Sequence, residues 1–597
     1  MKRALLILLL AVCSTYAATP PNVILVVTDD QGYGDLSCHG NPVVRTPNLD
    51  RLHDESMRFT DFHVAPMCTP TRGQLITGVD CLRNGAMNVS SGRTLLRREF
   101  PTLPELLKPA GYRTALFGKW HLGDNYPFRP QDRGFDECVW YPSSHIGSLP
   151  DVWGNDYFDD TYLHKNKLEK YQGYTTDVFF REAMQWMKTQ HDAGKPFFVY
   201  LPTAAPHMPL YVPQRYRDAV QPRLEAALPK LPKLSPADQE DLIRFLAMIE
   251  NIDENMGRLD KFLDAEQLKT NTIVVFLTDN GSTMGPKYFN AGMTGGKMTL
   301  WEGGHRVPLF IRWPAGRLAK PRDEKNLAEV QDILPTLLEL CGVSVPAKVD
   351  GTSLVRLLRG ANKELPDRTL VINYSQMPFV GKERQVEPQK EGAAVLWKNW
   401  RLLNNKTLYD IANDPLQQHN IAASNPAVVK KMQAHLETWW QGVKDRVNEP
   451  QRIIIGSDTE NPTLLSACEW WNVFMDQQIQ VRRGELKNSV WHLDVAKAGD
   501  YEIELRRWPR EARLPLAASA PALTLADGEL PSGIALPIAK ARLKVGAQEQ
   551  SLDLKPDSTH ATFHFHLQPG PVRLESTFLN AEGKPLLGAY YVYIQRR

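Results

Sequence analysis

The chain has little of several things. Its seven cysteines, at 13, 38, 68, 81, 138, 341 and 468 of 597 residues, are odd in number and irregularly spaced. That excludes the disulfide framework of a small secreted domain and leaves one or two bridges open. It has almost no net charge, since 70 Lys+Arg against 68 Asp+Glu gives +2. No global field therefore draws in nucleic acid. The apolar run from Ala4 to Val12 is too short for a membrane span of ~20 residues, so no stable insertion is expected. The Gly-rich stretch Gly295 to Gly304 lacks Walker spacing and is no phosphate loop.

What is present begins with a leader. Met1-Lys2-Arg3, the run Ala4 to Val12 and Ser14-Thr15-Tyr16-Ala17-Ala18 have the order of a secretory signal, residues 1–18, cleaved after Ala17 or Ala18. The expected location is periplasmic or secreted. Cys13 follows Leu10-Ala11-Val12, an imperfect lipoprotein box, so a lipid-anchored form is the lesser alternative. The remaining composition, 42% hydrophobic and 23% charged, is that of a globular protein with room for two to four domains.

Asn22-Val23-Ile24-Leu25-Val26-Val27-Thr28 is continuously apolar and reads as a fully buried parallel strand ending in Asp29-Asp30. Thr272 to Thr278 has the same grammar and ends in Asp279-Asn280-Gly281. Ligands bind beyond the carboxyl ends of strands in open α/β sheets. Four hard oxygen donors from two strand ends suit Ca²⁺ or Mg²⁺ rather than zinc. Two further strands fit. Tyr112 to Phe117, after a helix stopped by Gly111, runs into Gly118-Lys119-Trp120-His121-Leu122-Gly123. Pro196 to Leu201, after a crossover helix over Thr175 to Gln190, runs into Ala204-Ala205-Pro206-His207-Met208-Pro209. Cys68-Thr69-Pro70-Thr71-Arg72-Gly73 reads as the start of a helix, with Pro70 in its first turn. There Cys68 is either a low-pKa nucleophile or a small buried cysteine; local chemistry supports both.

Together these stretches resemble the type I sulfatases of the alkaline-phosphatase superfamily. The resemblance rests on Cys68-x-Pro70-x-Arg72, on Gly118-Lys119-Trp120-His121-Leu122-Gly123, on His207-x-Pro209 and on Gly296-Lys297 through Glu302-Gly303-Gly304-x-Arg306-Val307-Pro308. It implies that Cys68 is oxidised to Cα-formylglycine by a formylglycine-generating or anaerobic maturation enzyme during export. It implies one Ca²⁺, with Mg²⁺ less favoured, held by Asp29, Asp30, Asp279, Asn280 and modified Cys68. Hydrated formylglycine would attack the sulfur, Lys119 and Lys297 would neutralise the sulfate oxygens, and His207, with Lys297, would protonate the leaving oxygen. His121 would assist return to the aldehyde and Arg72 would orient the nucleophile. Glu302 and Arg306 read as structural. The alternatives are a phosphodiesterase or phosphonate hydrolase of the same superfamily, a phosphoryl transferase using Thr or Ser, and a non-catalytic glycan-binding relative with unmodified Cys68.

The expected fold is an α/β alkaline-phosphatase-like sandwich, with a mostly parallel central sheet flanked by helices, plus a C-terminal all-β domain. The boundaries read as a catalytic domain over 19–449, whose C-terminal subdomain begins near 365, and an accessory β-sandwich over 450–597. The stretches 141–174, 222–236 and 375–395 read as insertions, the first rich in aromatics that suit sugar rings. Helices are expected from about Ala237 to Leu268 and over 426–443. After 450, Ser489 to Val495, Asp500 to Leu505 and Thr562 to Leu567 alternate with period two. His564 and His566 share one face there, read as solvated rather than metal-binding. An exported enzyme with these additions points to a sulfated carbohydrate substrate.

Overall fold

A computed structural model describes residues 19–361, 364–374 and 387–597. The expected secretory signal, residues 1–18, and the 375–386 part of the polar stretch lie outside the described residues. The central sheet has ten strands. Its middle is parallel: Thr272–Thr278, Asn22–Thr28, Phe197–Pro202, Arg113–Lys119 and Glu137–Tyr141 lie side by side in that order. Leu309–Arg312 adds antiparallel beside Thr272–Thr278, and Thr161–His164 beside Glu137–Tyr141.

The apolar runs form strands because both faces are covered. Ile24 and Val26 belong to one core, and Val23, Leu25 and Val27 to another. The period-two alternation of a strand sends successive side chains to opposite faces. The first core is roofed by the helices Thr175–Asp192 and Pro236–Ala265, through Val178, Phe179, Ile249 and Ile252 among others. The second is closed by Cys68–Thr77 and Ile333–Leu340, through Leu75, Ile76, Leu334 and Leu337. Each such side chain contributes roughly 1.5–3 kcal/mol when fully buried.

A four-stranded antiparallel sheet follows, from Thr369–Asn373 to Thr407–Asp410, covered by the helix Pro426–Val443 through Met432 and Leu436. After residue 450 two more sheets pack together, one of six strands and one of four. They are antiparallel except for Ile453–Ile455 beside Val490–Val495. Alternation holds along Val490–Val495 and Ala561–Leu567, where every second residue is buried. His564 and His566 are exposed, and His566 Nδ1 lies 2.8 Å from Asp500 Oδ1. The core of this region takes in Leu95, Phe128 and Leu149 from far earlier in the chain.

Some expectations change. The stretch 222–236 begins inside a helix, Gln214–Ala227, which carries Pro222. Its buried stripe of Tyr216, Val220 and Leu224 overrides the proline. Several aromatics of 141–174 go to packing instead of to the surface. Tyr157, Tyr162 and Tyr174 are core residues, and Trp153 packs edge-on against Trp508 of the C-terminal region, with ring centroids 5.9 Å apart. The six described cysteines are all free thiols. No helix among the described residues is long and apolar enough to cross a membrane.

Candidate active site

Register assembles the site from distant sequence. Asn22–Thr28 and Thr272–Thr278 run parallel with Thr28 beside Thr278. The residues that follow, Asp29-Asp30 and Asp279-Asn280, emerge side by side, and Asp279 N–H donates to Thr28 O at 3.0 Å. All four are buried. Asp30 turns the chain with φ 67°, a region that Asp tolerates better than most residues. Asp30 N–H donates to Asp279 Oδ1 at 3.2 Å, and Asn280 Nδ2 donates to Asp30 Oδ1 at 3.0 Å.

Cys68 heads the helix Cys68–Thr77. Its Sγ and one oxygen each of Asp29 and Asp279 lie within 4.8 Å of one another. Arg72, one turn further, donates to Asp279 Oδ2 from Nε at 3.1 Å and from Nη2 at 2.7 Å. Gly118 has φ +129°, and a Cβ there would stand 1.9 Å from Pro202 O. Only glycine lets the strand pass so close, and the next residue delivers Lys119 Nζ to 2.6 Å from Asp29 Oδ2. Lys297 Nζ lies 2.6 Å from Asp30 Oδ1.

The two histidines differ in which nitrogen faces inward. His121 Nε2 is 2.9 Å from Val89 O. A carbonyl only accepts, so Nε2 carries the proton and Nδ1 presents its lone pair. That Nδ1 is 3.5 Å from Cys68 Sγ. His207 Nδ1 donates to Met208 O at 2.7 Å, leaving Nε2 3.6 Å from Asp30 Oδ2.

Charge is concentrated and dry here. Burial, with Asp279 adding repulsion, pushes Asp29 up to about 8 against the pull of Lys119. Burial acts on Asp30 too, yet Lys297 and then His207 hold it below the usual carboxylate range. Burial, helped by Lys119, holds His121 well below its ordinary value, and burial brings His207 down to about 3. Burial raises the Cys68 thiol despite Lys119 and Lys297, so this thiol is no ready thiolate nucleophile.

The donor set fits a hard cation. Asp29 Oδ1 and Asn280 Oδ1 are both buried without a hydrogen-bond partner. Carboxylate and amide oxygens of this kind are what Ca²⁺ and Mg²⁺ take. A cation there would satisfy both orphans and relieve the repulsion that lifts Asp29.

The family model described as Sulfatase matches residues 21–343. The chain belongs to the sulfatase family. It is a sulfuric ester hydrolase. A second model, N-sulphoglucosamine sulphohydrolase, C-terminal, matches residues 295–442 of this sulfatase. The N-acetylgalactosamine-6-sulfatase of Canis lupus familiaris is 32% identical over 383 residues, covering 59% of this chain and 68% of that one. The ulvan-active sulfatase of Formosa agariphila is 31% identical over 415 residues, covering 68% and 77%. Among solved structures, Ps i-CgsB in complex with k-i-k-neocarrahexaose superposes with a TM-score of 0.60 at 25% identity, covering 70% of this chain and 92% of that one.

The sulfatase brings together the residues expected to hold the metal or do the chemistry: Asp29, Asp30, Cys68, Arg72, Lys119, His121, His207, Asp279, Asn280 and Lys297. Glu302 pairs with Arg401 at 2.6 Å. Sequence reasoning missed His145, whose ring stacks on His207 with centroids 4.9 Å apart. A signal was available: His145 follows the end of Glu137–Tyr141 as the other site residues follow theirs. It also missed Phe474, which packs in one apolar cluster with Met67, Cys68 and Val89. Nothing local marks that residue.

Proposed function

We propose that this sulfatase hydrolyses sulfate esters on carbohydrate, using a formylglycine made from Cys68 and one Ca²⁺ held by Asp29, Asp30, Asp279 and Asn280, with residue 68 completing the shell. The observation that carries the reading is the placement of Cys68 at a helix start, among Asp29 and Asp279, with His121 Nδ1 facing it. Carbohydrate as the substrate class is supported by the names of the relatives above, one acting on ulvan and one on N-acetylgalactosamine 6-sulfate. Ca²⁺ is preferred over Mg²⁺ because an irregular set of protein oxygens suits its flexible coordination.

When present, the cation supplies charge neutralisation and the formylglycine supplies a hydroxyl nucleophile in place of the thiol. The chain does the rest. Lys119, paired with Asp29, and Lys297, paired with Asp30, bind the sulfate oxygens. His207, with its Nδ1 proton committed to Met208 O, presents Nε2 to the leaving oxygen, and the proton it passes on there is taken up when the anionic sulfate ester binds and favours the charged ring. Lys297 shares that role. His121 accepts a proton at Nδ1 from the group at position 68. Arg72 fixes Asp279, which in turn holds the backbone of Asp30.

Cys68 is 1% exposed, so its oxidation has to precede folding, which fits a maturation enzyme acting on the chain during export. The test is the mass of the peptide carrying Cys68 together with desulfation of sulfated sugars, and with aryl sulfate and phosphodiester rates compared. We expect modified Cys68, preference for sulfate, no turnover in Cys68→Ala and little in Cys68→Ser. Wild-type rates in either variant would sink the reading.

A further inference from the structure

The segment that enters the C-terminal sheets reaches back to the catalytic histidine. Asp476 is buried, and it lies between the strand Thr463–Ser466 and the short helix Gln478–Arg482. Its Oδ1 is 2.7 Å from Ser144 Oγ. Ser144 Oγ is 2.6 Å from His145 Nδ1. His145 in turn stacks on His207, with ring centroids 4.9 Å apart and planes 26° from parallel.

The proton order follows from what each group can give. Burial lifts Asp476 only to about 6, with the Ser144 hydrogen bond opposing. It is therefore a carboxylate at neutral pH and only accepts. The Ser144 hydroxyl donates to it, which leaves the hydroxyl oxygen to accept from His145 Nδ1–H. His145 is thereby held as one tautomer and in one ring plane. Burial and the nearby His207 keep it neutral. His207 is held by Met208 O on Nδ1, by Asp30 Oδ2 3.6 Å from Nε2, by its own N–H donating to Ala204 O at 3.2 Å, by Tyr157 Oη donating to its carbonyl at 2.8 Å, and by the His145 ring on its face. Only the His145 ring is reached from Asp476.

The surrounding contacts make this a built junction. Leu149 N–H donates to Asp476 O at 2.7 Å, and Gln478 Nε2 donates to Ser148 O and Asp151 O, each at 3.1 Å. Asp476 N–H donates to Gln480 Oε1 at 2.8 Å. Two residues before Asp476, Phe474 packs beside Cys68.

We propose that Asp476 is a positioning residue for His207, acting through Ser144 and His145, so that the C-terminal β region is an integral part of the active site rather than a separate appendage. This rests on the role given to His207 above. A residue that fixes the orientation of a catalytic group acts on turnover more than on binding, with losses of about 10–100-fold.

The experiment compares Asp476→Ala, Asp476→Asn and wild type in the full-length matured protein. Steady-state kinetics on a sulfated sugar are read beside diethyl pyrocarbonate labelling, mapped to His145 and His207 by mass spectrometry. Asp476→Ala should lose about 10–100-fold in kcat with KM little changed, and both histidines should label faster. Asp476→Asn keeps the Oδ1 acceptor and should restore most of the rate and the protection. If Asp476→Ala does not fold, Ser144→Ala removes the hydroxyl that links the carboxylate to His145, leaving only the 3.7 Å approach of Asp476 Oδ2 to His145 Nδ1, and its labelling decides. Wild-type kcat and wild-type labelling, with only a lower melting temperature, would overturn the proposal. So would unchanged labelling in Ser144→Ala. Inactive wild type would instead refute the functional reading, and labelling would still judge the role of Asp476.

Discussion

Replacing Arg72 by methionine removes one charge from the centre of the site while keeping most of the side-chain volume. Arg72 and Asp279 are fully buried, and the guanidinium gives Asp279 Oδ2 two hydrogen bonds, at 3.1 and 2.7 Å. Asp29 Oδ2 lies 4.0 Å from the same Nη2. Removing one partner of a buried pair leaves the other charge uncompensated, which costs about 3–5 kcal/mol. Here the loss falls on a cluster where Asp29 is already pushed up to about 8 by burial and by Asp279. The assay is denaturant unfolding of Cys68→Ala proteins with and without Arg72→Met. That background separates folding from maturation, because Arg72 belongs to the motif that maturation is expected to read. In chelator the variant should lose about 3–5 kcal/mol. In excess Ca²⁺ the loss should shrink, because a bound cation supplies the positive charge Arg72 provided, and ligand at a hundred times its Kd adds about 2.7 kcal/mol to the folded state. Equal stability in chelator would refute the electrostatic account of Arg72. A loss that Ca²⁺ leaves untouched would refute the cation site.

Two more outcomes follow from buried groups nearby. Burial pushes Glu469 up from 4.5 to about 8, against the hydrogen bond from Thr94. The folded state then holds a proton that the unfolded chain releases above pH 4.5, so this group's contribution is present at acid pH and is lost as pH rises to about 8. Glu469→Gln should flatten the fall in melting temperature over that window, recovering at most about 5 kcal/mol at its upper end; an unchanged pH slope would contradict this. Gly118→Ala would place a methyl 1.9 Å from Pro202 O at φ +129°. It should destabilise by at least about 2 kcal/mol and, on the role proposed for Lys119, lower sulfate turnover; a variant as stable as wild type would show that the strand can yield there.

Much of the catalytic centre was legible along the chain. Asp29, Asp30, Asp279 and Asn280 follow two continuous apolar runs, and Lys119, His121 and His207 follow two more. A buried parallel strand has to be apolar on both faces, and its carboxyl end is where the chain can turn polar, so strand and site are written in adjacent residues. The helix Pro426–Val443 and the alternating strands of the C-terminal region were legible for the same reason, as periodicity is a local property. Other features were not local. Pro222 inside a helix, and tyrosines of the 141–174 stretch in the core, depend on what packs against them.

The sequence by itself determined the sulfatase motifs, the α/β core and the β character of the C-terminal region, because each lies in contiguous residues. Only the tertiary structure decided which nitrogen of His121 faces Cys68, since that turns on the carbonyl of Val89. Only it joined Asp476 to Ser144 and His145, 332 and 331 positions away by number. Hydrogen bonds of that reach are made by the packing of one region against another, and neither partner carries a mark of the other in its own neighbourhood.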